Sequence, residues 1–420
     1  MTDSYWLPAS FLNGLSPGAL DAPRSPEADL ARGADDSQPP FPHFLECLGV
    51  EEAQNYTAEW ADLCERALEP NIFFAPGFAL NAARHIPGSG KPEFLFCWEA
   101  EGVKARGRLL GVWPLLLPQS TFSSLARSWS HDYGCSGAPL LDRARAPFAL
   151  ERMTAWLRQH HRHLSVLETT QLVKTNPDFI AMSEHARRHN LPFKIVGQYD
   201  RARLDATPVA VGARDFISSR KRKELQRQYR RLRELGAVAF HVTRDADDLR
   251  AQIEAYMLLE AKGWKGEKGT AFLNDAGLAT FLRAMSRTLG LDGKCRIYWL
   301  SLNQKMIAGN IVLLDSRGGA YFWKTTYDED YRSLSPGVLL TMDMTDRLLE
   351  DKDVATVDSC AVANHPMIDH LWRGRLCIAD VMMGAAPDRA FAFNVVLQRE
   401  KFRRSLRERV KTVLARIKAR

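Results

Sequence analysis

No run of apolar residues in this 420-residue chain reaches the length needed to cross a bilayer, which excludes a bundle of membrane-spanning helices. Cysteine is sparse too: seven residues, an odd number, scattered and without a C-x-x-C pair. That pattern excludes a disulfide scaffold and the common zinc spacings, so reduced, mostly packed thiols and no metal are expected. The opening MTDSYWLPAS lacks a basic segment followed by an apolar core, so no secretory leader is expected and the location that follows is cytoplasmic. What remains is ordinary for a soluble globular protein, with 45% hydrophobic and 25% charged residues. The length makes two domains the prior expectation.

Charge is present in excess of one sign. Lys and Arg number 57 against 50 Asp and Glu, a net charge of +7, which favours polyanionic company. The excess concentrates at 219–233 and 399–420. In the first run Leu225, Tyr229, Leu232 and Leu235 form one apolar stripe on a basic helix. Its basic first turn opposes the helix dipole, so the charge serves something besides helix stability. The second run (KFRRSLRERVKTVLARIKAR) carries an apolar seam of Phe402, Leu406, Val410, Val413 and Ile417. Such a helix can lie on an anionic membrane surface or dock on the protein body.

Along the chain, residues 1–43 are a Pro/Ala/Asp/Ser-rich tail with little periodic apolar pattern. From Phe44, helical patterns lead to Ala79–Ala83. Strand-like runs at Glu93–Trp98 and Leu109–Leu117 and an α/β alternation then extend to Val196. A second α/β series follows the turn-rich segment at 205–212. The domains expected are 44–210, 211–385 and a basic amphipathic C-terminal helix over 386–420. Arg108–Leu117 and Lys305–Leu314 share one character: a turn, a small residue at the middle, then apolar residues. A weak internal duplication follows.

The organising stretch is Gly319–Glu350. An aromatic, β-branched strand (Tyr321 to Tyr327) runs through a polar elbow into Ser335-Pro336-Gly337 and a helix. Ser335 is a good N-cap candidate, Pro336 suits the first helical position, and Gly337 leaves space over the amide row. Uncovered amides at a helix start form an anion site. Lys324 is a charge inside an apolar strand, directed along a cleft or out to water at an edge.

Arg332-Ser-Leu-Ser335-Pro-Gly337 resembles the R/Q-x-x-G-x-G/A loop of GNAT acyltransferases, departing at the first glycine. The wider run YFWKTTYDEDYRSLSPGVLL resembles the CelD/BcsL-type branch linked to cellulose and exopolysaccharide synthesis, a relative of the FemAB aminoacyltransferases. The resemblance implies an α/β fold of tandem GNAT-like domains, with mixed central sheets flanked by helices and the working site in the second. It implies acetyl-CoA or another acyl-CoA as donor substrate, held by Tyr327, Arg332, Ser333, Leu334, Ser335, Gly337 and Val338. Proton handling falls to Asp358, Asp369, His370 and Tyr331, although an Asp369–Arg373 pair explains part of that cluster equally well. Lys324, Trp264 and Lys265 border the acceptor, a saccharide or small molecule. The implied activity is acyl transfer to an amine or hydroxyl without a covalent enzyme intermediate. The rivals are aminoacyl transfer from charged tRNA and a non-catalytic basic scaffold.

Overall fold

The structure, a computed structural model, describes residues 43–101, 105–120, 123–206 and 217–418. The expected tail, residues 1–43, lies almost wholly outside them. Thirteen strands form one mixed sheet: β1 (His43–Leu48), β2 (Glu93–Glu101), β3 (Ala105–Leu116), β4 (Leu125–Ser128), β5 (Leu140–Leu141), β6 (Val166–Val173), β7 (Phe193–Asp205), β8 (Val238–Thr243), β9 (Cys295–Leu302), β10 (Lys305–Leu314), β11 (Gly319–Tyr327), β12 (Thr356–Asp358) and β13 (Gly374–Gly384). The longer helices are α1 (Thr57–Glu65), α2 (Pro76–His85), α3 (Ala146–His160), α4 (Pro177–Arg188), α5 (Ser219–Glu234), α6 (Ala246–Lys262), α7 (Ala276–Leu291), α8 (Pro336–Glu350) and α9 (Ala390–Lys418).

The order across the sheet is β1-β2-β3-β4-β6-β13-β7-β12-β11-β10-β9-β8, with β5 paired to β3. From either edge the same sequence of pairings appears. Strands β1 to β4 are antiparallel neighbours and β4 pairs parallel with β6. Strands β8 to β11 repeat this, and β11 pairs parallel with β12. A helix crosses between the parallel strands in each half, α3 in the first and α8 in the second. The final strands are exchanged: β13 sits between β6 and β7, and β7 bonds β12. The likeness of β3 and β10 therefore extends to the pairing order of the whole sheet, in which the central strands of the two halves are continuous.

Burial explains the strand sequences. Strand β10 is covered on both faces after its first residue, which is why MIAGNIVLL runs nearly continuously apolar rather than alternating. One core, holding Trp60, Phe78, Tyr256, Phe281 and Trp323, packs α1, α2, α6 and α7 on one face of the sheet. Another, holding Leu225, Phe322, Leu340, Met344 and Trp372, packs α5 and α8 on the opposite face. The segment from Phe44, expected to open helically, is instead edge strand β1 paired with β2 over His43–Leu48. Pairing to a neighbour overrides a short periodic pattern. Helix α5 starts where the spacing predicts, with the Ser218 side chain accepting from the Lys221 amide at 3.3 Å. Gly236 follows it because any Cβ there would meet the Asn303 side chain at 2.2 Å.

Candidate functional site

Strand β11 delivers the chain to a turn that the end of α6 grips from one side. Lys262 Nζ donates to both oxygens of Asp328, at 2.8 and 2.9 Å, and to Asp330 at 2.5 Å. The Trp264 amide donates to Glu329 Oε1 at 2.7 Å. Lys265 Nζ donates to the Thr325 carbonyl at 3.0 Å and to buried Glu260 at 2.7 Å. Two of the three expected acceptor residues, Trp264 and Lys265, thus hold the turn in place. The Trp264 ring remains exposed, with the Lys268 ammonium 4.7 Å above it.

Residues Glu329–Leu334 form a 3₁₀ turn, and Ser335 takes a left-handed conformation at φ 51°. Its carbonyl accepts from the Val338 and Leu339 amides, both at 3.1 Å, but its hydroxyl makes no cap. This corrects the N-cap expectation for Ser335. A capping hydroxyl reaches the first-turn amides from extended backbone, which this residue has left. The space expected over Gly337 is taken by the Tyr327 ring, whose Cδ1 would lie 3.3 Å from a Cβ there. Leu334, Val338 and Tyr331 pack on the α8-side core, while Arg332 and Ser333 are exposed. Helix α5 docks on the same turn, with Gln228 donating to the Ser333 carbonyl at 3.2 Å. A basic helix and an exposed arginine therefore flank one exposed turn, an arrangement that suits a phosphate-bearing ligand.

Beside the turn the sheet opens. Strands β11 and β12 pair only over Gly319–Tyr321 and Thr356–Asp358. Past that rung β11 continues to Tyr327, whereas the other strand ends and Cys360 turns away at φ 51°. The result is a V between a free strand edge and the following loop. A β-bulge opposite Ile311 and Val312 makes Trp323 the extra residue and re-aims the strand there. Trp323 Nε1 donates to the Tyr133 carbonyl at 2.7 Å, and Lys324 Nζ lies 4.5 Å from the centre of the Tyr133 ring. Burial holds the Lys324 ammonium below its ordinary lysine range, opposed by the neighbouring thiols of Cys135 and Cys360. The first-half loop carrying Tyr133 and Cys135 therefore closes one side of the V.

Asp358 lies at the apex. Its Oδ2 pairs with Arg201 and its Oδ1 accepts from the Cys360 amide at 2.9 Å. Arg201 also donates to the Cys135 carbonyl at 3.1 Å. Both carboxylate oxygens are committed, so the geometry gives Asp358 a bracing task. Asp369 and His370 lie on the short helix Ile368–Leu371, which packs through Ile368 and Leu371 into the α8-side core. Lys324 packs on the aromatic rings of the other face. The structure therefore does not bring Asp369 and His370 together with Lys324. Sequence reasoning missed Tyr133, Cys135, Arg201 and Cys360, which no local motif marks.

Solved structures with a similar fold include a tandem GNAT protein from the clavulanic acid biosynthesis pathway. It is 16% identical, covers 82% of this chain and 99% of its own, and has a TM-score of 0.41. FemX is 10% identical over 78% of this chain and 95% of its own, with a TM-score of 0.48. The C-terminal domain of a putative lysylphosphatidylglycerol synthetase from Agrobacterium fabrum is 12% identical over 81% and 95%, with a TM-score of 0.45. No curated protein matches the sequence. Residues 219–365, the stretch that holds the basic helix, the gripped turn and the opened strands, match the acetyltransferase (GNAT) domain.

Proposed function

We propose that the chain is a GNAT-type acyltransferase that moves an acetyl or short acyl group from acyl-CoA to an amine or hydroxyl of a sugar or small molecule, in the service of polysaccharide synthesis. The observation that carries the reading is the V between β11 and β12, ending at an exposed turn within the matched domain. A free strand edge can pair with the amide groups of a pantetheine arm, and the exposed Arg332 side chain, rather than the helix-start amides already bonded within the turn, can meet the phosphates of the same donor. The halves 44–210 and 211–385 fit this reading as a bracing half and a working half. Transfer is direct, with the acceptor displacing CoA from the thioester carbonyl held in the V.

Isothermal titration with acetyl-CoA tests this. Binding is expected for the wild type, and Arg332→Glu is expected to weaken it about tenfold, since one charge-assisted hydrogen bond is lost and a repulsion gained. Arg332 is exposed, so the variant should fold normally. Absence of acetyl-CoA binding, with salt-sensitive tRNA binding in its place, would sink the reading in favour of aminoacyl transfer.

A second element supports attachment to an anionic membrane surface. Among the described residues no helix is long and apolar enough to cross a membrane. Helix α9 buries Phe393 and Leu397 against the sheet, and Arg404 ties it down through Asp380 and Glu168, each at 2.7 Å. Phe391, Val395, Phe402 and Leu406 recur at helical spacing on the opposite side and stand exposed, beside exposed Arg399, Lys401 and Arg409. Two aromatic rings with basic flanks fit the headgroup region of an anionic leaflet. Co-sedimentation with phosphatidylglycerol-containing vesicles, and its loss in Phe402→Glu, is the expected result. Equal recovery with purely zwitterionic vesicles would count against it.

A further inference from the structure

The seven cysteines are all free thiols. Two of them, Cys135 in the first half and Cys360 in the second, are in hydrogen-bond contact through their sulfurs. Both are half-buried beside the V. We propose that Cys135 and Cys360 are a redox pair that hydrogen peroxide oxidises to a disulfide, clasping the two halves together and narrowing the V.

One ion pair positions both backbones. Arg201 Nη2 donates to the Cys135 carbonyl at 3.1 Å and pairs with Asp358 Oδ2. Asp358 Oδ1 accepts from the Cys360 amide at 2.9 Å. The sulfurs meet because a buried salt link between the halves fixes the two loops that carry them. Cys360 also stands at φ 51°, a left-handed conformation that Gly or Asn would adopt more easily. A side chain kept there against that cost points to a task for the sulfur.

The surroundings single out these two thiols. Cys64, Cys97 and Cys295 are buried, and burial pushes each of them up to about 12. Cys47 donates to the Glu93 carboxylate at 3.5 Å and Cys377 faces Asp200, neighbours that disfavour a thiolate. Cys135 lies instead near two cations. The hydrogen bond from the Cys360 thiol, backed by the Arg201 and Lys324 charges, holds Cys135 below its ordinary value. Burial and its hydrogen bond to Cys135 hold Cys360 well above it. Cys135 is therefore the attacking thiolate and Cys360 the resolving thiol. A metal fits less well, since no group of three or more His, Cys, Asp or Glu side chains is gathered for one among the described residues.

In the first step the Cys135 thiolate attacks one peroxide oxygen and the O–O bond breaks. Hydroxide leaves with the bonding pair and takes up the proton that Cys135 had released. Cys135 is then a sulfenic acid. The Cys360 sulfur gives up its proton and attacks the Cys135 sulfur, so that the S–S bond forms and the S–O bond breaks. The departing hydroxide carries that proton away as water. Two thiols and one peroxide have become a disulfide and two waters. The bond draws the sulfurs from hydrogen-bond contact to about 2 Å. Cys360 begins one arm of the V and Cys135 belongs to the loop closing its side, so the V narrows; the consequence for donor entry rests on the transferase reading.

Peroxide treatment of the reduced full chain, followed by peptide mass mapping, tests the pair without CoA. A Cys135–Cys360 cross-linked peptide is expected, lighter by two hydrogens and restored by dithiothreitol. Cys135→Ser and Cys360→Ser should each abolish it, whereas Cys377→Ser should retain it. In Cys360→Ser, dimedone should trap a sulfenic acid on Cys135, which lacks its resolving thiol. No cross-linked peptide in the wild type, or a cross-link joining other cysteines in its place, would overturn the pair. Acetyl-CoA is expected to bind the oxidised chain about tenfold more weakly than the reduced one, since a small displacement of the strand edge spoils its alignment with the donor. A cross-link that leaves this affinity unchanged would overturn the narrowing of the V. Absence of acetyl-CoA binding by the reduced chain would remove the transferase reading and leave the pair standing.

Discussion

Replacing Asp358 with alanine is expected to lower the folding free energy by about 3–5 kcal/mol, the cost of stranding a buried charge. The charge left behind is Arg201, 2% exposed, on a strand of the first half, while Asp358 belongs to the second. The same guanidinium holds the Cys135 carbonyl at 3.1 Å, and its Nε already has no partner. Removing the carboxylate therefore leaves a buried cation without its counter-charge and frees the Cys360 amide from its 2.9 Å acceptor. Two desolvated donors lose their partner at once, which puts the loss at the upper end of single-site effects. The double replacement Arg201→Met with Asp358→Leu is expected to recover most of it, because apolar groups of similar volume strand no charge. Urea unfolding of the three proteins decides the matter. A single alanine variant within about 1 kcal/mol of wild type would mean that water reaches the pair and that the two halves are braced elsewhere.

That pair also marks where sequence reasoning stops. Strands β8 to β11 were legible because each follows a short turn and pairs with its neighbour in the chain, so local propensity and topology agree. The Leu376–Met383 strand was legible as a strand, yet its place between β6 and β7 was not. Its partners lie about two hundred residues away, and an apolar run carries no mark of whom it pairs with. The turn at Arg332–Val338 was legible as a turn into a helix, but the left-handed Ser335 and the Tyr327 ring over Gly337 depend on packing that spacing does not encode. Asp358 was legible as a polar side chain at a strand end. Its partner, 157 positions away in the sequence, was not. The cavity lined by Glu69, Asp178, Arg203 and Arg317 is the extreme case, since these residues come from four separate segments and none sits in a motif.

The pH profile of stability between about pH 7 and 4 should contain contributions of opposite sign from two pairs of buried groups. Burial, with repulsion from Lys324, holds His131 neutral down to about 4. Burial, with repulsion from His189, Arg188 and Arg158, holds His185 neutral down to about 3. Below the ordinary histidine value near 6.5 the unfolded chain takes up protons that the folded chain refuses. Stability is thereby lost as pH falls through that window, by about 3–4 kcal/mol for each imidazole. Glu69 and Asp178 act with the opposite sign. Lifted to about 7 and about 6, they keep protons in the folded chain that the unfolded chain has released. Their share of stability is lost as pH rises from about 4 to 7, by about 3 kcal/mol each. Single variants unmask the slopes. His131→Phe keeps a ring stacked on Phe78 and tilted against Trp129, and its stability relative to wild type should rise as pH falls from about 6.5 to about 4. Asp178→Asn should be more stable than wild type at pH 7 and lose that advantage as pH falls from about 6 to about 4, since the folded wild type takes up its proton near 6 while the unfolded chain does so only near 4. Urea unfolding of the three proteins across this range checks both. Difference curves that stay flat with pH would show that these groups meet solvent in the folded chain.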